Sequence, residues 1–244
     1  NPGRLAEVGR TDSGEGGGIY SGEGFDTFSY PNYLDYRARQ TVFDGLAAYH
    51  VRGLARFRLG LGDDSVPVPG PYVPANFSDV LGVQMARGRG FLPEDERLDR
   101  PSTVAVISHR LWQTQFNGTP DIVGRTVRLN GRPFTIVGVA QADFNGYTID
   151  DQRLWVPITA YPDGEDLRRV ALRGRQWLMG IGRLKSGVTM EQARDEIARI
   201  GQALQREFPD ENRRHGLAGE AAGAIPPPAV GCTSPGKGLS AECC

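Results

Sequence analysis

A chain of 244 residues with a net charge of −1 is long enough for one large domain or two small ones, and folded units of this size bury about 70% of their extended surface. Lys and Arg are scattered singly, which argues against a nucleic-acid partner or a polybasic membrane surface, and no apolar run reaches the roughly 18–20 residues that span a bilayer. The chain opens at Asn1 without a signal-peptide pattern and is expected to be a piece of a longer protein; Cys232, Cys243 and Cys244 sit together near the end and make no disulfide framework.

Residues 1–27 hold Gly14, Gly16, Gly17, Gly18, Gly22 and Gly24 with few apolar anchors. The entropy of ordering them has little to offset it, so a flexible or loosely docked segment is expected. From Phe28 the pattern changes. Ser29-Tyr30-Pro31 starts a helix that Tyr33, Leu34, Arg37 and Ala38 continue and that ends before Thr41. Phe43 to Val51 and Leu54 to Leu61 alternate as strands, and 60–64 turns the chain into Val66-Pro67-Val68. There Pro67, Pro69, Pro71 and Pro74 predict an edge or an extended linker. Ala75 to Leu81 is a short helix closed by Gly82. Gly88-Arg89-Gly90 followed by Pro93-Glu94-Asp95-Glu96 reads as a loop ending in a charged crest.

The densest signal runs from Val104 to Ala140. Val104 to Ile107 is a β-branched strand, Ser108 stands where an N-cap belongs, and His109 to Phe116 is a helix of about two turns ended by Asn117-Gly118. Asn130-Gly131 predicts a two-residue type I′ hairpin, because both positions need positive φ. That closure sets Leu129 opposite Arg132, Arg128 opposite Pro133 and Val127 opposite Phe134. Pro133 then falls on a pair that exchanges no backbone hydrogen bonds, while Val127, Phe134 and Ile136 share the buried side. Leu154 to Ile158 is a further strand, and Trp177 to Leu184 another. In the last helix Thr189 and Gln192 form a capping box and Val188 a staple with Ala193. Ala193, Ile197, Ile200, Leu204 and Phe208 make one face, Asp195 and Arg199 pair on the other, and Pro209 stops it.

These stretches also carry a resemblance. VAVISHRLWQTQF, IVGRTVRLNGRPFTIVGVA and LWVPI (154–158), with FSYPNYLDYRAR (28–39), VPANFSDVLGVQMARGRGF (73–91) and GRLKSGVTMEQARDEIARIGQALQREFP (182–209), resemble the MacB-like periplasmic core domain. That domain is the extracytoplasmic insert of ABC-type permeases related to macrolide exporters. The resemblance implies an α+β fold, with a porter-like α/β subdomain built from β-α-β halves at 28–75 and 176–215 and an inserted smaller mixed α/β subdomain at 76–160 containing the hairpin. Residues 161–175 would be a linker. It further implies an efflux or export permease domain at the extracytoplasmic face of the bacterial inner membrane, non-catalytic, coupling ATP-driven motion to substrates or partner proteins outside. Its partners would be transmembrane helices, a cytoplasmic ATPase, a second copy in a homodimer and a periplasmic adaptor, with no nucleic acid. Residues 216–244 depart from the family pattern and are either a disordered tail or an out-of-frame product, and a missing closing strand would leave an open sheet edge and a poorly stable fragment.

Reactive chemistry is weighed against this and set aside. GCTSPGKG at 231–238 nearly matches a phosphate-binding loop but has Gly238 where the Mg²⁺-binding hydroxyl belongs and no room for the following helix. His50, His109 and His215 lack companions at ligand spacing, so no metal or cofactor is expected. Ser108 reads as a cap before a nucleophile. Asp143, Asp150 and Asp151 could pair for glycoside cleavage but lie in a turn-rich loop. Trp112, Trp155 and Trp177 read as core or subdomain-interface residues. The loops 88–100 and 141–153, long and polar, are the expected contact surfaces. A periplasmic glycan-acting enzyme and a free-standing binding module are the alternative functions; the enzyme would need a convergent acid, base or metal cluster, and no catalytic residue is assigned.

Overall fold

The computed structural model describes residues 4–9, 27–50, 55–62, 64–146, 151–160 and 169–212. Strand β1 (Leu5–Val8) comes first. Within the segment 1–27, expected to be flexible or loosely docked, it is an ordered strand: Ala6 and Val8 are buried, and β1 pairs antiparallel with residues 180–183. Helix α1 (Tyr30–Arg39) starts as predicted, with the Ser29 hydroxyl accepting from Asn32 N at 3.2 Å and Pro31 in the first turn. It delivers Tyr30, Tyr33 and Tyr36 to the core beside Phe28. Then come β2 (Phe43–His50), β3 (Ala55–Leu61), β4 (Asp64–Gly70), β5 (Tyr72–Val73), α2 (Phe77–Leu81), β6 (Met85–Gly88), β7 (Val104–Ile107), α3 (His109–Phe116), β8 (Thr126–Leu129), β9 (Arg132–Ala140), β10 (Leu154–Pro157), β11 (Leu178–Leu184), α4 (Met190–Glu207) and α5 (Pro209–Asn212).

The strands form two sheets. The smaller has the order β1-β11-β2, all antiparallel, so the early strands β1 and β2 meet the late strand β11 around an insertion. Alternation gives it two buried faces. Leu46, Ala48, Leu178 and Leu184 join a cluster with Tyr33 and Tyr36 of α1 and Ile197, Ile200 and Leu204 of α4. Ala47, Tyr49 and Ile181 join the opposite cluster with Phe77 and Val80 of α2 and with Val73, Val106, Val137 and Trp155 of the larger sheet. The result is three layers, with the small sheet in the middle.

The larger sheet runs β4-β3-β8-β9-β7-β10-β5, with β6 also on β9. Its end strands β4 and β5 are separated in the chain only by Pro71, so the sheet curls until its first and last strands are one stretch. Gly70 makes that approach possible, since a Cβ there would lie 1.9 Å from Leu154 O. Pro67 and Pro69 stand opposite Arg58 and Arg56 on pairs that exchange no hydrogen bonds with β3, the same device as Pro133 opposite Arg128.

The hairpin register is the predicted one, with Asn130 and Gly131 at φ 50° and 79°. Ser108 caps α3 by accepting from Leu111 N at 3.1 Å, and Asn117 closes it at φ 50°. The capping box of Thr189 and Gln192 is also present. Two expectations change and one strand is added. Segment 55–70, expected in the first unit with 28–75, pairs through Leu59 and Leu129 into the larger sheet instead. Met85–Gly88 is a strand, invisible in sequence because its side chains are mostly exposed and lack alternation; pairing with β9 decides it. Asp195 and Arg199 form no ion pair, and the acid that engages is Glu196, which accepts from the Thr41 hydroxyl at 2.7 Å and from Thr41 N. Residues 1–3, 10–26, 51–54, 63, 147–150, 161–168 and 213–244 lie outside the described residues, which takes with them His215, Asp150, the cysteines, 231–238 and most of the glycine-rich segment.

Candidate functional site

The expected charged crest is an inward-facing joint. Pro93 opens a single 3₁₀ turn, Pro93–Glu96, and its last two residues point their carboxylates in opposite directions. Asp95 is 5% exposed. Its Oδ2 accepts from the Arg89 guanidinium at 2.7 Å and Leu92 N at 2.9 Å, and its Oδ1 from Ser102 Oγ at 3.1 Å. Thr159, in the 3₁₀ turn Ile158–Ala160 that follows β10, donates to its carbonyl at 3.4 Å. All these partners belong to the larger sheet or its loops. Burial pushes the Asp95 carboxyl up, but the hydrogen bonds from Arg89, Leu92 N and Ser102 and the charge of Arg89 outweigh it, holding the group below the ordinary carboxylate range.

Glu96 faces the other way. Its side chain is 6% exposed. Oε1 accepts from Tyr30 Oη at 2.8 Å, and Oε2 from Ala75 N at 2.9 Å and Arg37 at 3.3 Å. Two of these three donors sit on α1. Burial and then the Glu96 charge push the Tyr30 phenol far above its ordinary range, so it donates at any physiological pH. Around this contact a second row closes: Arg37 reaches Tyr33 Oη at 3.2 Å, and Asn76 Nδ2 donates to Leu46 O at 2.8 Å. Tyr33 Oη lies 3.2 Å from both Leu46 O and Asn76 Oδ1; it has one proton and donates to one of them. Burial is the main force raising the Tyr33 phenol. One turn of chain thus holds the larger sheet with one carboxylate and α1 with the next. A shallow cleft of about 340 Å³ opens beside it, lined by Arg37, Asn76, Asp79, Phe91 and Glu96.

This arrangement binds tightly and reacts poorly. Both carboxylates are filled by donors, and the described residues include no group of three His, Cys, Asp or Glu able to hold a metal. The residues considered from sequence are not brought together. Asp143 lies exposed in a turn, while Asp151 is taken by Arg153 at 2.6 Å and Arg110 at 3.3 Å. His109 stacks edge-on against Trp112 within α3, while His50, at the end of β2, packs against Trp177. The three tryptophans are buried, at 7%, 2% and 3% exposure. Neither expected contact loop is dispensable to the core: 88–100 contains Asp95 and Glu96, and in 141–153 Phe144 packs on Trp155 while the buried Gln152 accepts from its indole N–H at 3.2 Å. Nor is 169–175 a bare linker, since Arg173 reaches Asn32 and Asp35, each at 2.6 Å, and lies over the Phe208 ring. What sequence reasoning missed is Glu96 with Tyr30 and Arg37. Only the acid-rich turn after Pro93 hinted at it, and solvated acids are the ordinary reading of such a run.

Compared with known proteins, residues 3–200 match the profile of the MacB-like periplasmic core domain. The chain belongs to that family. No curated protein matches it. Among solved structures, the periplasmic region of MacB from Actinobacillus actinomycetemcomitans superposes with a TM-score of 0.59 at 15% identity, covering 85% of this chain and 86% of that one. A permease-protein domain from Porphyromonas gingivalis gives 0.63 at 19% identity over 94% and 95%. The extracellular domain of the noncanonic ABC-type transporter YknZ from Gram-positive bacteria gives 0.59 at 13%, over 90% and 100%. At these identities the likeness shows the fold, a MacB-like porter-type α/β architecture. The MacB-like core domain is a periplasmic or extracellular part of ABC permeases, which work with ATPase and transmembrane parts. No described helix here is long and apolar enough to cross a membrane.

Proposed function

We propose that this domain is the non-catalytic extracytoplasmic lever of an efflux or export permease, passing motion driven by a cytoplasmic ATPase from membrane helices to substrates or partner proteins outside. Two units compose it: 5–8, 28–50 and 177–212 around the small sheet, and 55–160 around the curled sheet. A second copy faces it across the membrane surface, and a periplasmic adaptor completes the path.

The observation that carries the reading is the back-to-back pair Asp95 and Glu96. A lever must not bend where its parts meet, and here both parts are held by carboxylates whose acceptors are filled. Rigid coupling is what transmission needs; an enzyme would keep such groups open to substrate.

The test uses the parent permease with its ATPase in membranes. Removing residues 28–212 is expected to abolish export while ATP hydrolysis continues, and Glu96→Ala to reduce export per ATP hydrolysed. Unchanged export in the deletion would overturn the reading. So would turnover of a compound by the purified domain, lost on a single substitution.

A further inference from the structure

The outer face of the curled sheet holds charge without counter-charge among the described residues. On β3 the buried residues Phe57 and Leu59 alternate with Arg56, Arg58 and Gly60, so the two arginines are exposed on the outward side. Arg128 of β8 stands opposite Gly60 on that same side. Its Cβ would lie 3.2 Å from a Cβ at Gly60, so a glycine there leaves the arginine room to rise. Eight other described arginines, Arg37, Arg89 and Arg153 among them, lie within ion-pairing distance of a carboxylate. Arg56, Arg58 and Arg128 have none among the described residues. Their neutral neighbours hold them: Arg58 donates to Ser65 Oγ at 2.6 and 3.1 Å, and Arg128 to Gly131 O at 2.9 Å. Each keeps further N–H donors for an anion.

The spacing is informative. Arg56 and Arg58 are two residues apart on a strand, about 7 Å, and Arg128 continues the row by the same step beside Gly60, displaced by one strand, about 5 Å. A row of guanidinium groups at that repeat matches carboxylates on alternate residues of an extended chain. We propose that this face docks an extended acidic protein segment carrying Asp or Glu at every second position. An anionic lipid surface fits less well. The rest of the face offers Pro67, Pro133 and Thr126, and the large apolar side chains exposed among the described residues, Leu92, Val123 and Leu172, lie on none of the strands β3, β4, β8 and β9, so little is available to enter a membrane. The absence of an apolar centre also predicts a weak, salt-sensitive contact. The transport reading supplies its biological setting, a partner outside the membrane; the test below does not depend on transport.

The full chain is titrated, by backbone and arginine side-chain NMR shifts, with a seven-residue Thr/Glu peptide bearing Glu at every second position. The comparison peptide has the same composition with its three Glu adjacent. Shifts at Arg56, Arg58 and Arg128, binding several-fold tighter for the alternating peptide, and loss near 1 M salt, where the Debye length is about 3 Å, are expected. Arg56→Gln/Arg58→Gln/Arg128→Gln should weaken binding about tenfold, while Arg194→Gln/Arg206→Gln on α4 leaves it unchanged; folding of each variant is checked by its amide spectrum. Equal binding of both peptides, no binding, or stronger binding to phosphatidylglycerol vesicles that the triple variant abolishes would each overturn the proposal. None of these outcomes bears on whether the parent exports a substrate.

Discussion

Glu96 is a single side chain with three donors from two layers, and its loss is felt through what it leaves behind. In Glu96→Ala the Tyr30 hydroxyl and Ala75 N lose their acceptor in a buried site, and each orphaned donor costs on the order of 1–3 kcal/mol. Urea unfolding should show that drop with the slope unchanged. Arg37, about a third exposed, can turn to water and softens the effect. Asp95 gives a pH signature. Its folded pKa is depressed, so its contribution is fully present above the unfolded carboxylate value, about 3.9, and is lost as pH falls through the lower folded value. Unfolding midpoints of the native chain and of Asp95→Asn should therefore differ above pH about 4 and converge below it. A constant gap down to pH about 2 would contradict the charge-based account.

At the level of elements, the hairpin and the last helix rest on different physics and should fail differently. Phe134 is 4% exposed, paired with Val127, and Phe134→Ala should cost about 3–5 kcal/mol, a core-sized loss measurable by denaturation. Thr189→Ala removes one capping hydrogen bond at an exposed helix start and should cost only about 1 kcal/mol. Helix α4 is anchored at its far end as well: Arg39 bonds Glu207 twice at 2.7 Å, and the buried Asn212 donates to Leu204 O at 3.1 Å and accepts from Asn32 at 3.0 Å. Fraying of the first turn is thereby contained. Both elements were legible because their signals are local: positive φ at Asn130-Gly131, a cap and its box, and a stripe of apolar residues at helical spacing. Strand β6 and the pairing of β3 with β8 were not, because neither has a local cause.

For the molecule as a whole, the small sheet is buried on both faces, and both of its clusters reach the curled sheet, the first through residues such as Ile136 and Leu154 and the second through Val73, Val106 and Trp155. The outer edges of β1 and β2 have no strand partner among the described residues. Trp177 reports on the small sheet's side, Trp112 and Trp155 on the other. Tryptophan fluorescence and far-ultraviolet circular dichroism should give coincident unfolding transitions in the native chain. In Asp95→Ala/Glu96→Ala they should separate; coincidence there would mean that the shared apolar clusters alone couple the sheets.

The amino-acid sequence by itself determined the family, the α+β class, the hairpin register and both ends of three helices, since each follows from residues adjacent in the chain or from an ordered set of motifs. The tertiary structure alone decided that β1 completes the small sheet, that 55–70 belongs to the curled one, and that an apparently solvated acidic turn faces inward. Burial of a carboxylate depends on whether donors converge on it. Those of Glu96 come from Tyr30, Arg37 and Ala75, more than twenty residues away, a distance over which local pattern carries no information.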